Sequence, residues 1–115
     1  MSLTPMQVEK RLVDLTREVD EAHNDLIDAE QLFHTTKASL EIGMARSRMS
    51  VSHPDFKLTS VQREDQALIE NADQHMALAH AEAQVKAARA NANRIRTQVD
   101  IARSISVSVR ASMEL

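Results

Sequence analysis

Residues 8–43 read VEKRLVDLTREVDEAHNDLIDAEQLFHTTKASLEIG, and one pattern runs through them. Val8, Leu12, Leu15, Val19, Ala22, Leu26, Ala29, Phe33, Thr36, Leu40 and Gly43 are separated by alternating steps of four and three. On an α-helix that spacing places all of them on one face, which is the heptad pattern of a coiled-coil seam with Leu12 at an a position and Leu15 at a d position. The residues just before it supply a start. Thr4 suits the N-cap, Pro5 the first helical position and Gln7 the far side of a capping box, while Leu3 and Val8 fit a hydrophobic staple. Gly43 is the only glycine, and its place at the end of the seam predicts that the helix stops or bends there. The first helix is therefore expected over about residues 5–46.

Beyond it, SRMSVSHPDFKLT breaks the seam. His53-Pro54-Asp55 reads as a turn with Pro54 at the second position of a type I turn, so residues 47–59 are the expected connector. Thr59 with Gln62, or Ser60 alone, caps a second helix over about residues 60–112, whose opening Arg63-Glu64-Asp65 sets acids near its positive dipole end. This helix carries a seam in two phases. The early phase is Ile69, Ala72, Met76, Ala79 and Ala83. The later phase is Leu78, Ala81, Val85, Ala88, Ala92, Ile95, Val99, Ala102, Ser106, Val109 and Met113. Half of residues 77–92 are alanine, which lets either face pack closely. Ser104 to Val109 alternate serine and β-branched residues with the period of a strand; the seam through Ala102, Val109 and Met113 predicts helix there nonetheless, ordered at its end by a partner.

The composition agrees. In 115 residues there are one Gly, two Pro, two Phe and no Trp, Tyr or Cys, so turn formers and aromatic core residues for a sheet fold are missing. The absence of cysteine removes disulfides, thiolate metal sites and thiol nucleophiles. No apolar run approaches the roughly 18 residues of a membrane span, and the N-terminus has neither an apolar signal core nor a basic flank, so a cytoplasmic protein with no membrane association is expected. The expected fold class is all-α: one domain, residues 1–115, folded as a long antiparallel helical hairpin, with two such hairpins pairing in a dimeric four-helix bundle.

That dimer is inferred from residues the seams do not use. Val13, Ile27, Leu32 and Ile42 lie off the first seam, and Ile101, Ile105 and Val107 lie beside the second, so a second stripe is available to bury against another chain. Charge points the same way. Arg89, Arg96, Arg103 and Arg110 recur every seven residues, at e positions if Val99 is an a position, while the first helix carries Glu18 and Asp25 at g positions. In an antiparallel pair e faces e and g faces g, so these rows do not meet inside one hairpin, whereas pairing across a dimer would satisfy both; the other reading of the arginine row is a solvated flank.

Chemistry is sparse. The histidines at 23, 34, 53, 75 and 80 lack the spacing of four that sets two imidazoles over one metal, and they read as surface or rim residues. Acids such as Glu18, Glu21, Asp25 and Asp28 fit the solvated face of a long helix. No phosphate-cradling loop or nucleophile motif is present. No enzymatic activity, metal or cofactor is expected. A basic row, Lys86, Arg89, Arg94, Arg96, Arg103 and Arg110, is opposed locally only by Asp100, and it suits a nucleic-acid backbone as an alternative partner, although no aromatic is there to stack on bases. The first expectation is a protein partner. Two ends of the hairpin compete for it: the tail, with Arg103, Ile105, Val107, Val109, Arg110 and Met113, and the bend, with Arg46, Arg48, Met49 and Phe56. The tail is preferred because its sequence is poorly suited to an isolated helix.

In size and topology the chain resembles the WXG-type helical hairpins of bacterial type VII secretion, which pair as four-helix dimers and are exported. It departs from them at Ile42-Gly43-Met44-Ala45-Arg46, where no Trp precedes the Gly, and at Val109-Arg110-Ala111-Ser112-Met113-Glu114-Leu115, where no tyrosine signal stands. In layout it is similar to the small all-helical accessory proteins encoded by tailed phages, with a capped first helix, an Arg46-Ser47-Arg48 bend, a Thr59-Ser60 cap followed by Gln62-Arg63-Glu64-Asp65, and an Ala-rich second helix ending in serines and arginines. That likeness implies a protein that modulates a host factor or assists recombination or replication on DNA.

Overall fold

A computed structural model describes residues 3–50 and 59–114. The described chain is helical: α1 spans Pro5–Ser50, α2 Ser60–Glu70 and α3 Ala72–Glu114, with no strand among the described residues. The expected turn at Pro54 lies outside the described residues.

The starts form as the sequence requires. At α1 the Thr4 hydroxyl accepts from the Gln7 backbone N–H (3.2 Å) while the Gln7 carboxamide accepts from the Thr4 N–H (3.0 Å). The same reciprocal box joins Thr59 and Gln62 at α2, again at 3.2 and 3.0 Å. Each box satisfies two of the donors that a helix start leaves without intrahelical partners.

Two compact units divide the chain, one made of Met1–Asp28 with Lys86–Leu115, the other of Ala29–Val85. In the first unit the opening half of α1 packs antiparallel on the second half of α3 around Val8, Leu15, Ala22, Ile95 and Ala102. Leu15, at 1% exposure, is its most enclosed large side chain. In the second unit the later part of α1 packs on α2 and the start of α3 around Leu40, Ala67, Ala81 and Val85, and two polar residues, Ser47 and Asn71, are buried beside them.

The seam of α1 is used nearly as the spacing predicts, with Val19 as the departure: it stands at the exposed edge. Three expectations need correction. Gly43 neither ends nor bends α1 in the left-handed conformation; no residue has positive φ among those described, and the helix runs on to Ser50, past the expected boundary at 46 and into the expected connector. Its missing side chain serves packing instead. A Cβ on Gly43 would stand 2.5 Å from Oδ1 of Asn71 and 2.8 Å from Oε1 of Gln74.

The early phase of the second seam is not the buried one. Ile69, Ala72, Met76, Ala79 and Ala83 are all exposed. The later phase extends backwards in their place, through Leu78, His75, Asn71 and Ala67. Small and polar residues displace larger aliphatics here because Asn71 brings its own hydrogen bonds to the α1 surface, as described below. At the far end Met113 is exposed as well.

The second helix is also interrupted. Asn71 separates α2 from α3 with φ −109° and ψ 21°. Its Nδ2 donates to the Ala67 carbonyl at 2.8 Å, the same oxygen that accepts its backbone N–H at 3.1 Å. A short polar side chain that bonds back to the carbonyl four residues earlier competes with the helix ladder and loosens the turn. The ladder survives the break, since the His75 N–H still reaches the Asn71 carbonyl at 3.0 Å. The serine-rich stretch 104–109, by contrast, stays in one unbroken α3 to Glu114.

Candidate functional site

Within the first unit the antiparallel contact of α1 and α3 opens on one flank into a groove of about 520 Å³. Its floor is Val19, Ala22 and Leu26 from α1 with Ala92 and Val99 from α3, and its walls carry Thr16, Asp20 and His23 opposite Arg96, Asp100 and Arg103. The groove exists because alanine stands in both seams there: Ala22 and Ala92 reach less far than leucines, and the space they leave is open along the flank. A second open region of similar size lies along Thr97, Ile101, Ser104, Ile105, Ser108 and Ser112. All of these residues are on α3, so it is the outer face of one helix with serine-sized hollows between isoleucines, and nothing closes over it.

Arg96 and Arg103 are seven residues apart and so project on the same side of α3 about 10 Å apart along its axis. Among the described residues neither has an ion pair with the acids of the groove, and no hydrogen bond joins His23 to Asp20 or Asp100. The groove therefore presents two guanidiniums whose planar donor forks are open to carboxylate or phosphate, above an aliphatic floor. The described residues hold no cluster of three or more His, Asp and Glu that would cage a metal ion.

The tail residues do not form one face. Val109 and Arg110 meet the start of α1 at Pro5, Val8 and Glu9. Arg103 belongs to the groove. Ile105 joins the outer face of α3, and Val107 and Met113 are exposed. At the bend, Arg48 pairs with Glu64, its Nε 2.7 Å and its NH2 3.1 Å from the carboxylate oxygens. Arg46 and Met49 are exposed, and Phe56 lies outside the described residues. Of the basic row, Lys86 and Arg89 are each engaged in an interaction, and Arg94 donates to the Asn91 side chain at 2.8 Å. Arg94 and Arg96, two residues apart, diverge by about 200°, so Arg94 does not share the flank of Arg89, Arg96, Arg103 and Arg110.

Sequence reading missed the groove walls Thr16, Asp20, His23 and Asp100. The available signal was the pair of alanines, one in each seam, on stretches of α1 and α3 that an antiparallel pairing brings together. It also placed all five histidines at the surface or rim. His75 is partly enclosed at the α2–α3 junction, and its Nε2 is buried without a hydrogen-bond partner among the described residues. One helical turn before it, Asn71 anchors a polar cluster in the second unit. Nδ2 of Asn71 donates to Oγ of Ser47 at 2.9 Å and lies 3.4 Å from the Gly43 carbonyl. Next to it the Gln66 and Ser47 side chains hydrogen-bond the Glu70 carboxyl and hold its pKa below the ordinary glutamate value.

Comparison of the chain with protein-family models, with characterised proteins and with solved structures finds no match.

Proposed function

We propose that the chain is a non-enzymatic, self-associating helical hairpin that works by binding another protein and modulating it, as an accessory factor rather than a catalyst. The observation that carries this reading is the set of large aliphatics turned away from the packed seams. Val13, Ile27, Leu32, Ile42, Ile101 and Val107 are all exposed, on helices that bury one stripe each. No helix among the described residues is long and apolar enough to cross a membrane and absorb this surface in lipid.

Light scattering coupled to size exclusion at micromolar concentration tests self-association: a dimer is expected, and a monomer ends the reading. Partner binding is then tested by capture from a host lysate. The Ile105→Asp/Val107→Asp variant should lose the captured protein while keeping its helicity.

A DNA-associated role has one observation in its favour, the open guanidiniums of Arg96 and Arg103 on the same flank as Arg89 and Arg110. Phosphate contacts of this kind release counterions, so binding to duplex or single-stranded DNA should weaken steeply as salt rises. No binding at low salt removes it.

A further inference from the structure

The two flanks of the first unit carry different charge rows. On α3, Arg89, Arg96, Arg103 and Arg110 are exposed and lie on the groove side, about 60–120° around the helix from the buried Ile95. On α1, Asp14, Glu18, Glu21, Asp25 and Asp28 follow one another in steps of four and three, the last three of them exposed. This acid row lies about 40–120° from the buried Ala22, on the side away from the groove walls Thr16 and His23. The same away side of α3 presents Ile101 and Ile105, both exposed and about 140–180° around the helix from Arg96. The remaining charges sit at the margins. Glu9, Asp20, Lys86 and Asp100 lie farther round towards the outer edges, Glu114 stands at the end of the arginine row, and Lys10, Arg11, Arg17 and Arg94 border the acid row. Of these, Arg11 is 3.9 Å from Glu18 and Arg94 donates to the Asn91 side chain.

We propose that the groove flank of one copy takes the opposite flank of a second copy, with α1 of the second copy over α3 and its α3 over α1. The inference rests on the self-association reading above and gives that reading its two contact faces. Charge complementarity selects a copy as the occupant, because only unlike flanks bring the arginine row and the acid row together. The rows share one spacing: Arg96 and Arg103 are seven residues apart, as are Glu18 and Asp25, and Glu21 and Asp28, which is about 10 Å along a helix. The same placement sets Ile101 and Ile105 of the partner subunit over Val19 and the open aliphatic floor of the groove, so the ionic column has an apolar column beside it. Exposed ion pairs contribute little each, and they orient the contact while the aliphatics supply burial. Since the two faces differ, the contact is heterologous and does not close on itself. A dimer keeps one free face of each kind, so copies add as concentration rises, and salt weakens the association.

The test is light scattering across a range of concentration and salt, with circular dichroism as a folding control. At low salt the native chain should pass from dimer to larger species as concentration rises, and high salt should reverse this. Arg96→Glu/Arg103→Glu spoils the groove flank and Ile101→Asp/Ile105→Asp the opposite one. Each alone should be a monomer of native helicity, with its dissociation constant raised about tenfold or more. Mixed in equal amounts, they retain one good face each and should form a species of two chains, one of each kind, and nothing larger. If a double variant loses helicity, Arg103→Glu and Ile105→Asp singly are read in the same mixture. A native monomer at every concentration overturns self-association as a whole. Native assembly that stops at the dimer, that survives either variant, or that the mixture fails to restore overturns these flanks and leaves self-association standing. Duplex DNA binding that Arg96→Glu/Arg103→Glu removes while the mass distribution stays native assigns the arginines to phosphate, and overturns the stack.

Discussion

The Asn71 carboxamide occupies the space in which any residue other than glycine at position 43 would put its Cβ. The distance from that Cβ position to Asn71 Oδ1 is 2.5 Å, and the carboxamide has no freedom to withdraw. It is 7% exposed and is held by Ser47 Oγ and the Ala67 carbonyl.

Gly43→Ala should therefore destabilise the fold, although alanine in a helix interior is ordinarily favoured over glycine by about 1 kcal/mol. Overpacking of this kind costs about 1–3 kcal/mol, which for a chain of this length lowers Tm by several degrees. In an Asn71→Ala background the same change should turn neutral or stabilising. Thermal melts of the four proteins measure the coupling, and additive effects would show that the two residues do not compete for the space.

His75 should be an energetic liability. A buried ring nitrogen with no partner costs about 1–3 kcal/mol, and here Nε2 is in that position. His75→Leu, which keeps an apolar body at the seam, is expected to raise Tm by a few degrees. A lower Tm would mean that the nitrogen has a partner in solution.

The Glu70 carboxyl should titrate below the ordinary glutamate value, because Gln66 first and Ser47 second bond its charged form. A group whose folded pKa is depressed contributes stability above its unfolded pKa, about 4.3 for glutamate, and that contribution is lost as pH falls through the lower folded value. Carboxyl NMR titration should show Gln66→Ala raising the Glu70 midpoint more than Ser47→Ala does. Equal midpoints in all three proteins would remove both bonds from the solution structure.

The tail should separate into a structural and a free part. Val109 packs beside Val8, which is 5% exposed, so deleting residues 104–115 should uncover Val8 and lower Tm by several degrees. Val107→Asp and Met113→Asp, at outward positions, should change stability by less than about 0.5 kcal/mol. Thermal melts distinguish the two classes, and a deletion that melts like the native chain would place the whole tail outside the core.

The sequence by itself determined the helical character of the chain, the helix starts at Thr4 and Thr59 and most of one packing face. Thr4 with Gln7 and Thr59 with Gln62 close their boxes within four residues, and local interactions of that kind need no knowledge of the rest of the chain. The α1 seam was legible because a long run of alternating steps leaves one face for burial. On the second helix, local pattern offered two seams and gave no ground for choosing between them. The tertiary structure took the later one, because only there does Asn71 reach Ser47, across a separation of 24 residues, in a space that Gly43 leaves open. Glycine read alone marks the end of a helix; glycine opposite a buried carboxamide marks a close approach. The groove has the same origin. Ala22 and Ala92 are each ordinary in a seam, and only the antiparallel pairing brings both to the floor of one groove, with Arg96 and Arg103 opposite Asp20 and His23.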